Sequence, residues 1–396
     1  MRVYYHIEDG VLRTSCTRGK EFAAQGGWTS YWTSPGSRYF NPAGVGSYFD
    51  AGAGAGGAIV PIYTYTLDDA NRATITGYSG NATALYIPDE IDGHEVVAIG
   101  DRAFQNRTDL RTVMIPDSLE KIEFEAFYNC INLKIVDLSS NLTTIGYDVF
   151  GNCKSISKIE IPKSLKKFDG TWGRGTNLSY GAFGGCSNLK TVNFEAGSTI
   201  VCAALFMGCD GIEEIELPDT ITEIGDSAFK SCKNLNKVII PESVTKIDGD
   251  AFAECSGLVD IKMHEGINTI GSRAFYKCDR LLDIVIPDSV EKIEFEAFRG
   301  CDKLENIKLS ENLTIVGYGV FGDCKSISKI EIPKSLKKFD GTWGRGTNLS
   351  YGAFGGCSNL KTVNFEAGST IVCAALFMGC DGIEEIELPD TITEIG

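Results

Sequence analysis

A strict spacing of cysteine and phenylalanine residues constrains the fold of this chain more than any other feature. From Cys130 onward a cysteine recurs every 23 residues, with two intervals of 33, and a phenylalanine stands three residues before each one. A unit of this length cannot bury its own apolar side, so it must stack on its neighbours. The spacing therefore predicts a repeat solenoid. The cysteines of the series are Cys130, Cys153, Cys186, Cys209, Cys232, Cys255, Cys278, Cys301, Cys324, Cys357 and Cys380.

Each repeat follows the pattern L-x-x-I-x-I-P-x-S-L-x-x-I-G-x-x-A-F-x-x-C. The alternation before the proline predicts one short β-strand, and the S-L-x-x-I run predicts a second short extended segment. The glycine allows the backbone to enter a brief helical or 3-10 turn that holds A-F-x-x-C. Counted from Phe104 to Phe377, twelve stacked rungs are expected.

This pattern resembles the BspA-type leucine-rich repeat proteins, a branch of the leucine-rich repeat superfamily. The likeness is carried by blocks such as IPDSVEKIEFEAFRGC, from Ile286 to Cys301, and it covers roughly residues 84–396. The resemblance implies a leucine-rich-repeat-like stack. It also implies a bacterial or protist protein that is extracellular or exposed at the cell surface and that binds macromolecules of a host or neighbour.

Four segments are predicted along the chain. Residues 1–25 read as a β-hairpin region, because alternating residues flank an Asp-Gly turn. Residues 26–60 are an irregular segment rich in Gly, Ser and aromatic residues that ends in a Gly/Ala linker, and residues 61–100 are predicted to form an N-terminal β cap. Residues 101–396 form the solenoid. Its C-terminal rung is incomplete, so a longer parent protein and end-to-end self-association through this uncapped rung are expected.

A duplicated insertion is the main candidate for a functional site. Residues 154–225 are identical to residues 325–396, and the offset of 171 residues equals seven 23-residue rungs and one ten-residue insertion. Insertions in solenoids emerge as loops on one face, often the binding face, and Trp and Arg dominate interface hot spots. The alternative is structural, with Trp172 covering a groove and Arg174 capping carbonyls. The predicted ligand-binding residues are Trp172, Arg174 and Tyr180 with their copies Trp343, Arg345 and Tyr351.

The cysteines are predicted to be free and buried. One cysteine per rung gives a straight column whose Cβ atoms lie about 4.8 Å apart, beyond the ~3.5–4.5 Å typical of a disulfide. A metal site needs ligands that converge in a tetrahedron, and the chain contains only three histidines. We therefore expect small apolar thiols that donate weakly to turn carbonyls, and no metal.

Other classes of function are disfavoured by composition and pattern. A net charge of −16 argues against nucleic-acid binding, and no apolar stretch approaches the ~18–20 residues of a membrane span. The GAGAGG segment satisfies G-x-G-x-x-G but does not lie between a strand and a helix, so no dinucleotide cofactor is expected. No set of nucleophile, base and orienting group is visible, so no catalytic residue is assigned.

The sequence favours a non-enzymatic adhesion or recognition module that presents a long repeat surface to a protein or glycan partner. Two other hypotheses remain open at this point. The chain could be a structural spacer or scaffold that projects another domain, or the non-catalytic repeat region of a larger enzyme. Fold class alone does not separate these functions.

Overall fold

The computed structural model describes residues 3–8, 11–16, 63–169, 181–340, 352–372 and 376–395. Within these residues the chain is a solenoid of about thirteen turns of short parallel strands, and it contains no helix. Each turn contributes one strand to each of two sheet faces. The third side of the solenoid is built from the turns that contain Ala-Phe-x-x-Cys.

Antiparallel pairs precede the solenoid. Strands β1 (Val3–Glu8) and β2 (Val11–Cys16) pair with Glu8 opposite Val11. Strands β3 (Tyr63–Leu67) and β4 (Ala73–Tyr78) form a second antiparallel pair. Strand β4 also runs parallel to a strand of the first turn, so this pair extends one sheet of the solenoid.

The first sheet face, here called face A, contains the strand that comes before the proline corner of each turn. Strands that pair do so in parallel one repeat apart, as Ile215 does with Val238, and in the described residues this face is divided into five such segments. Every second side chain points into the core, which is the alternation predicted from the sequence. Face A consists of β5 (Ala84–Tyr86), β8 (Thr112–Met114), β10 (Ile135–Asp137), β12 (Lys158–Ile161), β14 (Thr191–Phe194), β16 (Glu214–Glu216), β18 (Lys237–Ile239), β20 (Asp260–Lys262), β22 (Asp283–Val285), β24 (Asn306–Lys308), β26 (Lys329–Ile332), β28 (Thr362–Phe365) and β30 (Glu385–Glu387).

The second sheet face, face B, contains the strand that follows the corner. The short β6 (Glu90–Ile91) lies antiparallel to its first strand. In the described residues this face is interrupted twice, between β13 and β15 and between β27 and β29. Face B consists of β7 (His94–Ile99), β9 (Lys121–Ile122), β11 (Thr144–Gly146), β13 (Lys167–Asp169), β15 (Ile200–Val201), β17 (Glu223–Ile224), β19 (Lys246–Ile247), β21 (Thr269–Ile270), β23 (Lys292–Ile293), β25 (Ile315–Gly317), β27 (Lys338–Asp340), β29 (Ile371–Val372) and β31 (Glu394–Ile395).

A ladder of phenylalanine rings runs through the core. The twelve rings from Phe104 to Phe377 stack with centroids 4.9–5.8 Å apart. Eleven of them, all but Phe377, are almost completely buried. Burying such a ring stabilises the fold by about 1.5–3 kcal/mol, so the ladder holds successive turns together.

The cysteine column is a ladder of free thiols, as predicted, and all of them are buried except the half-buried Cys380. Each Sγ of the series donates to the carbonyl of the phenylalanine one turn earlier, at 2.9–3.3 Å. Burial raises the pKa of the thiol, for example to about 12 at Cys255. These thiols are therefore unreactive structural groups.

The segment around A-F-x-x-C forms hydrogen-bonded turns as predicted, but no helical or 3-10 segment is present in the described residues. Cys130 N donates to Phe127 O at 3.2 Å within the turn, but Phe127 N donates to Val149 O of the next rung at 2.8 Å. Glu125 and Asn129 have φ angles of 51° and 60°, which break any helical run. Stacking thus replaces helical hydrogen bonds with bonds between rungs.

Candidate functional site

The six predicted ligand-binding residues lie outside the described residues: Trp172, Arg174, Tyr180, Trp343, Arg345 and Tyr351. The structure does describe the chain on both sides of each insertion, with β13 or β27 before it and Gly181 or Gly352 after it. These are the two places where the strand ladder of face B is interrupted. The insertions therefore begin and end at equivalent breaks in one face of the solenoid.

Aromatic side chains gather on the turns that lead to each break. The set, here called the aromatic corner, is Phe124, Tyr147 and Phe168 in the first copy, with Phe295, Tyr318 and Phe339 in the second. The rings of Tyr147 and Phe168 lie 5.7 Å apart and tilted, and those of Phe295 and Tyr318 lie 5.7 Å apart and stacked. Both tyrosines are buried, so each corner is a packed frame beside the insertion.

An arginine covers the outer ring of each corner. Arg102 lies 4.9 Å from the centre of Phe124, and Arg273 lies 5.2 Å from the centre of Phe295. Each guanidinium also binds a glutamate of the next turn, with Arg102 Nε 2.7 Å from Glu125 Oε2. The cation–π contact and the ion pair hold the arginine in place at the edge of the corner.

The two corners differ at a buried position that is ionisable in the first copy alone. Asp148 is 6% exposed, and its Oδ1 has no hydrogen-bond partner among the described residues. Burial, and then the charge of Glu125, raise the pKa of this carboxyl to about 7. Gly319 occupies the equivalent position of the second copy. The second corner therefore lacks this buried carboxyl.

A polar cleft of about 410 Å³ lies on the turns just before the second insertion. Much of its hydrogen-bonding capacity is already used by the backbone, since Ser335 Oγ donates to Leu313 O and Thr314 Oγ1 donates to Glu291 O. The Lys337 side chain is exposed at its edge. The cleft is lined by Asp288, Ser289, Glu291, Asn312, Thr314, Ser335 and Lys337, and the same residue types recur as Asp117, Ser118, Glu120, Asn141, Thr143, Ser164 and Lys166.

A third surface lies on face A, between the duplicated blocks. Ile239 is 47% exposed and Val285 is 59% exposed, although both project from the solvent side of the sheet. Lys262 stands opposite Ile239, and Lys308 stands opposite Val285. We call these four residues the apolar–lysine stripe. Sequence analysis missed it, although the β-branched residues at outward positions were a visible signal.

In the part of the chain that the structure describes, no three His, Cys, Asp or Glu residues are grouped so that they could hold a metal ion. A helix of the length and apolar character needed to cross a membrane is also absent from this part.

Comparison with known families identifies the repeats. Residues 81–172, 176–294, 268–343 and 345–396 match the BspA type leucine rich repeat region. The chain belongs to the BspA-type leucine-rich repeat family. The match includes both rungs that carry an insertion, so these rungs are members of the repeat array.

Solved structures show the same type of solenoid. A leucine-rich repeat protein from Bacteroides ovatus is 22% identical, with 85% of this chain and 98% of that chain covered, at a TM-score of 0.50. The pneumococcal vaccine antigen PcpA is 18% identical over 84% of each chain, also with a TM-score of 0.50. A leucine rich cell surface protein from Faecalibacterium prausnitzii is 27% identical, covering 84% of this chain and 92% of that one, with a TM-score of 0.48. Curated protein sequences gave no significant match.

Proposed function

We propose that this BspA-type chain is a non-enzymatic adhesion or recognition module that binds a protein or glycan partner outside the cell or at its surface. One observation carries the proposal. The same insertion with Trp and Arg is attached twice to the same frame, a break in face B beside an aromatic corner. Large surface insertions on a rigid repeat scaffold are typical of binding sites.

The proposed contacts are Trp172, Arg174 and Tyr180, together with Trp343, Arg345 and Tyr351. Tryptophan, tyrosine and arginine contribute much of the binding energy at interfaces, because they combine large contact areas with polar groups. The buried tyrosines of the corners support this role, since rigid elements position a binding site better than mobile ones do. The family resemblance supports a location at the cell surface.

The spacing of the two insertions favours a long partner. Seven strand spacings of about 4.8 Å place equivalent points roughly 34 Å apart. A partner that reaches both insertions binds the second one intramolecularly, which raises the overall affinity. A fibrous protein or a polysaccharide satisfies this condition.

A structural spacer is the second candidate function. The observation that favours it is the unbroken phenylalanine ladder, which makes the described solenoid a continuous stack from Phe104 to Phe377. A spacer needs this core but does not need the insertions. Removing the aromatic side chains of the insertions therefore distinguishes the two functions.

The test is binding of the purified chain to immobilised matrix proteins and a glycan panel. The double variant Trp172→Ala/Trp343→Ala is expected to lose at least about tenfold in affinity, or ~1.4 kcal/mol, without a change in melting temperature. Trp28→Ala/Trp32→Ala is the matched control, because it removes the other two tryptophans of the chain. Equal binding by the parent and by the Trp172/Trp343 variant would reject the proposed contacts. Binding to no member of the panel would favour the spacer.

A further inference from the structure

The turn that leads into each insertion differs in charge from the other turns of the solenoid. It carries Lys163, Lys166 and Lys167 in the first copy and Lys334, Lys337 and Lys338 in the second, and all six side chains are exposed. We call these two sets the basic turns. Where they have Lys163 and Lys334, the other turns have an acidic residue, serine or alanine: Asp89, Asp117, Ser140, Ala196, Asp219, Glu242, Glu265, Asp288, Glu311, Ala367 and Asp390.

The positive charge of the basic turns is only partly neutralised. Lys163 Nζ lies 3.2 Å from Glu195 Oε1, and the same carboxylate accepts a hydrogen bond from Lys163 N. Lys166 Nζ donates to Thr199 Oγ1 at 2.7 Å rather than to an acid. Among the described residues, neither Lys167 nor Lys337 has a carboxylate within 4.0 Å. A surplus of positive charge therefore remains in a chain that is otherwise acidic.

The surroundings of the first basic turn are rich in hydroxyl groups. Ser140, Thr143 and Thr144 lie on the turn before it, and Thr199 lies on the turn after it. No large exposed apolar side chain occurs on these turns in the described part of the chain. Protein partners generally need a buried apolar anchor at the centre of the interface, and the described residues of these turns, taken without the insertion, do not supply one. A surface that combines lysine ammonium groups with serine and threonine hydroxyls is suited to binding a ligand that carries both negative charges and hydroxyl groups.

We propose that the basic turns bind an acidic polysaccharide, that is, a glycan chain bearing carboxylate or sulfate groups. The inference rests on the proposed recognition function and specifies the class of partner for the same rungs. Ammonium groups pair with the anionic groups of the glycan, while the serine and threonine hydroxyls exchange hydrogen bonds with its hydroxyls. A chain long enough to reach both basic turns gains affinity by binding twice.

The first basic turn is the stronger of the two sites. Its neighbour Ser140 is replaced by Glu311 beside the second basic turn, and Thr144 is replaced by Ile315. The hydrogen bond that Lys334 donates to Glu366, then the charge of Glu366 and to a smaller degree that of Glu311, raise the pKa of Lys334, so this lysine is already stabilised by carboxylates. An anionic glycan competes with Glu366 and Glu311 at Lys334 and, among the described residues, with the ion-paired Glu195 at Lys163.

The experiment measures binding of the whole chain to four immobilised probes. These are heparin as a sulfated glycan, polygalacturonate as a carboxylated one, dextran as a neutral one and polyglutamate as an acidic polypeptide. The parent is expected to bind heparin, polygalacturonate or both, and not to bind dextran. Its affinity for the acidic glycan is expected to fall as the salt concentration is raised from about 0.15 to about 0.5 M, because salt screens the charges. A preference for one of the two acidic glycans identifies the anionic group.

Three lysine variants test the assignment. Lys163→Gln/Lys166→Gln/Lys167→Gln is expected to lose at least about tenfold in affinity for the bound glycan. Lys334→Gln/Lys337→Gln/Lys338→Gln is expected to lose less. The matched control, Lys134→Gln/Lys233→Gln/Lys303→Gln, removes three exposed lysines from three separate turns and is expected to change affinity by less than about twofold.

The outcomes separate this inference from the proposed function. An equal loss in the control variant would mean that only net charge matters, and equal binding of polyglutamate would mean an acidic polypeptide instead; either result overturns the inference. If the parent binds a panel partner through Trp172 and Trp343 but no acidic glycan, the inference fails and the proposed function stands. If the lysine variants lose binding while the Trp172/Trp343 variant does not, the acidic-glycan site stands and the tryptophan contacts fail.

Discussion

The duplicated blocks and the block between them share one core but present different surfaces. Residues 154–225 and 325–396 each carry an insertion and a basic turn, while residues 226–324 have only regular 23-residue rungs. The phenylalanine ladder passes through all of them, with spacings of 5.3 and 5.4 Å on either side of Phe252 and 5.1 Å between Phe150 and Phe183. The comparison shows that stacking fixes the interior and leaves the surface free to vary.

The largest expected effect tests whether the core is uniform. Phe252→Ala in the middle block and Phe183→Ala in an insertion-bearing rung each remove a fully buried ring. Each is expected to lower the free energy of unfolding by about 3–5 kcal/mol, measured by urea denaturation. If Phe183→Ala costs much less than Phe252→Ala, the core is not continuous through the insertion-bearing rung and the comparison is wrong.

The second prediction concerns the buried position at which the two copies differ. Because the pKa of Asp148 is raised to about 7, the folded chain holds a proton that the unfolded chain releases near pH 4. The contribution of the Asp148 carboxyl to the free energy of unfolding is therefore fully present below about pH 4, and it is lost as the pH rises through about 7. Asp148→Gly is therefore expected to raise the free energy of unfolding by about 1–3 kcal/mol at pH 8, and by less at pH 4.

The reciprocal exchange provides the control for this prediction. Gly319→Asp places a carboxyl in the second corner and is expected to destabilise the chain at pH 8 more than at pH 4. Thermal unfolding of both variants across this pH range measures the effect. A pH-independent difference between Asp148→Gly and the parent would show that the carboxyl of Asp148 is not the titrating group.

The third prediction uses a backbone position that both kinds of block share. The residue before the cysteine has a positive φ angle, 77° at Gly208 in a duplicated block and 54° at Lys277 in the middle block. Gly208→Ala is expected to lower the free energy of unfolding by about 1 kcal/mol, because an L-residue is strained there. Lys277→Gly is expected to be tolerated within about 0.5 kcal/mol. A cost for Lys277→Gly that matched the cost of Gly208→Ala would mean that backbone strain is not the cause.

The smallest expected effect on stability belongs to the apolar–lysine stripe. Ile239→Asn/Val285→Asn is expected to change the free energy of unfolding by less than about 0.5 kcal/mol, because about half of each side chain is already exposed. The same variant is expected to keep its affinity for the panel partner. Lost affinity with unchanged stability would place recognition on the middle block instead of the duplicated blocks.

The sequence was sufficient to predict the repeat, the short strands and the buried thiols. Because the rungs are equivalent, the environment inferred for one residue, such as Cys255 or Phe252, applies to the residues at the same position in the other rungs. Period-two alternation around Val238 is likewise enough to identify which side chains of face A enter the core. These features depend only on local pattern and on stacking.

Other features could not be predicted, because they depend on how neighbouring rungs align, and the sequence of a single repeat does not give that alignment. The A-F-x-x-C segment looks locally helical, but its backbone groups bond to the next rung, as Phe127 N does to Val149 O. The contact of Arg102 with Phe124 joins residues 22 positions apart and is visible only once the turns are stacked. The unsatisfied Asp148 carboxyl depends on burial that arises only in the stack. The ligand contacts of Trp172 and its counterparts remain predictions.

The most direct test of the account is a hydrogen-exchange footprint of the chain with and without the partner identified by the panel. The account predicts slowed amide exchange in residues 163–186 and 334–357, which contain the basic turns and the insertions, with little change in residues 237–285. Protection confined to residues 237–285, or to the segment before residue 61, would contradict the claim that the duplicated rungs form the recognition surface.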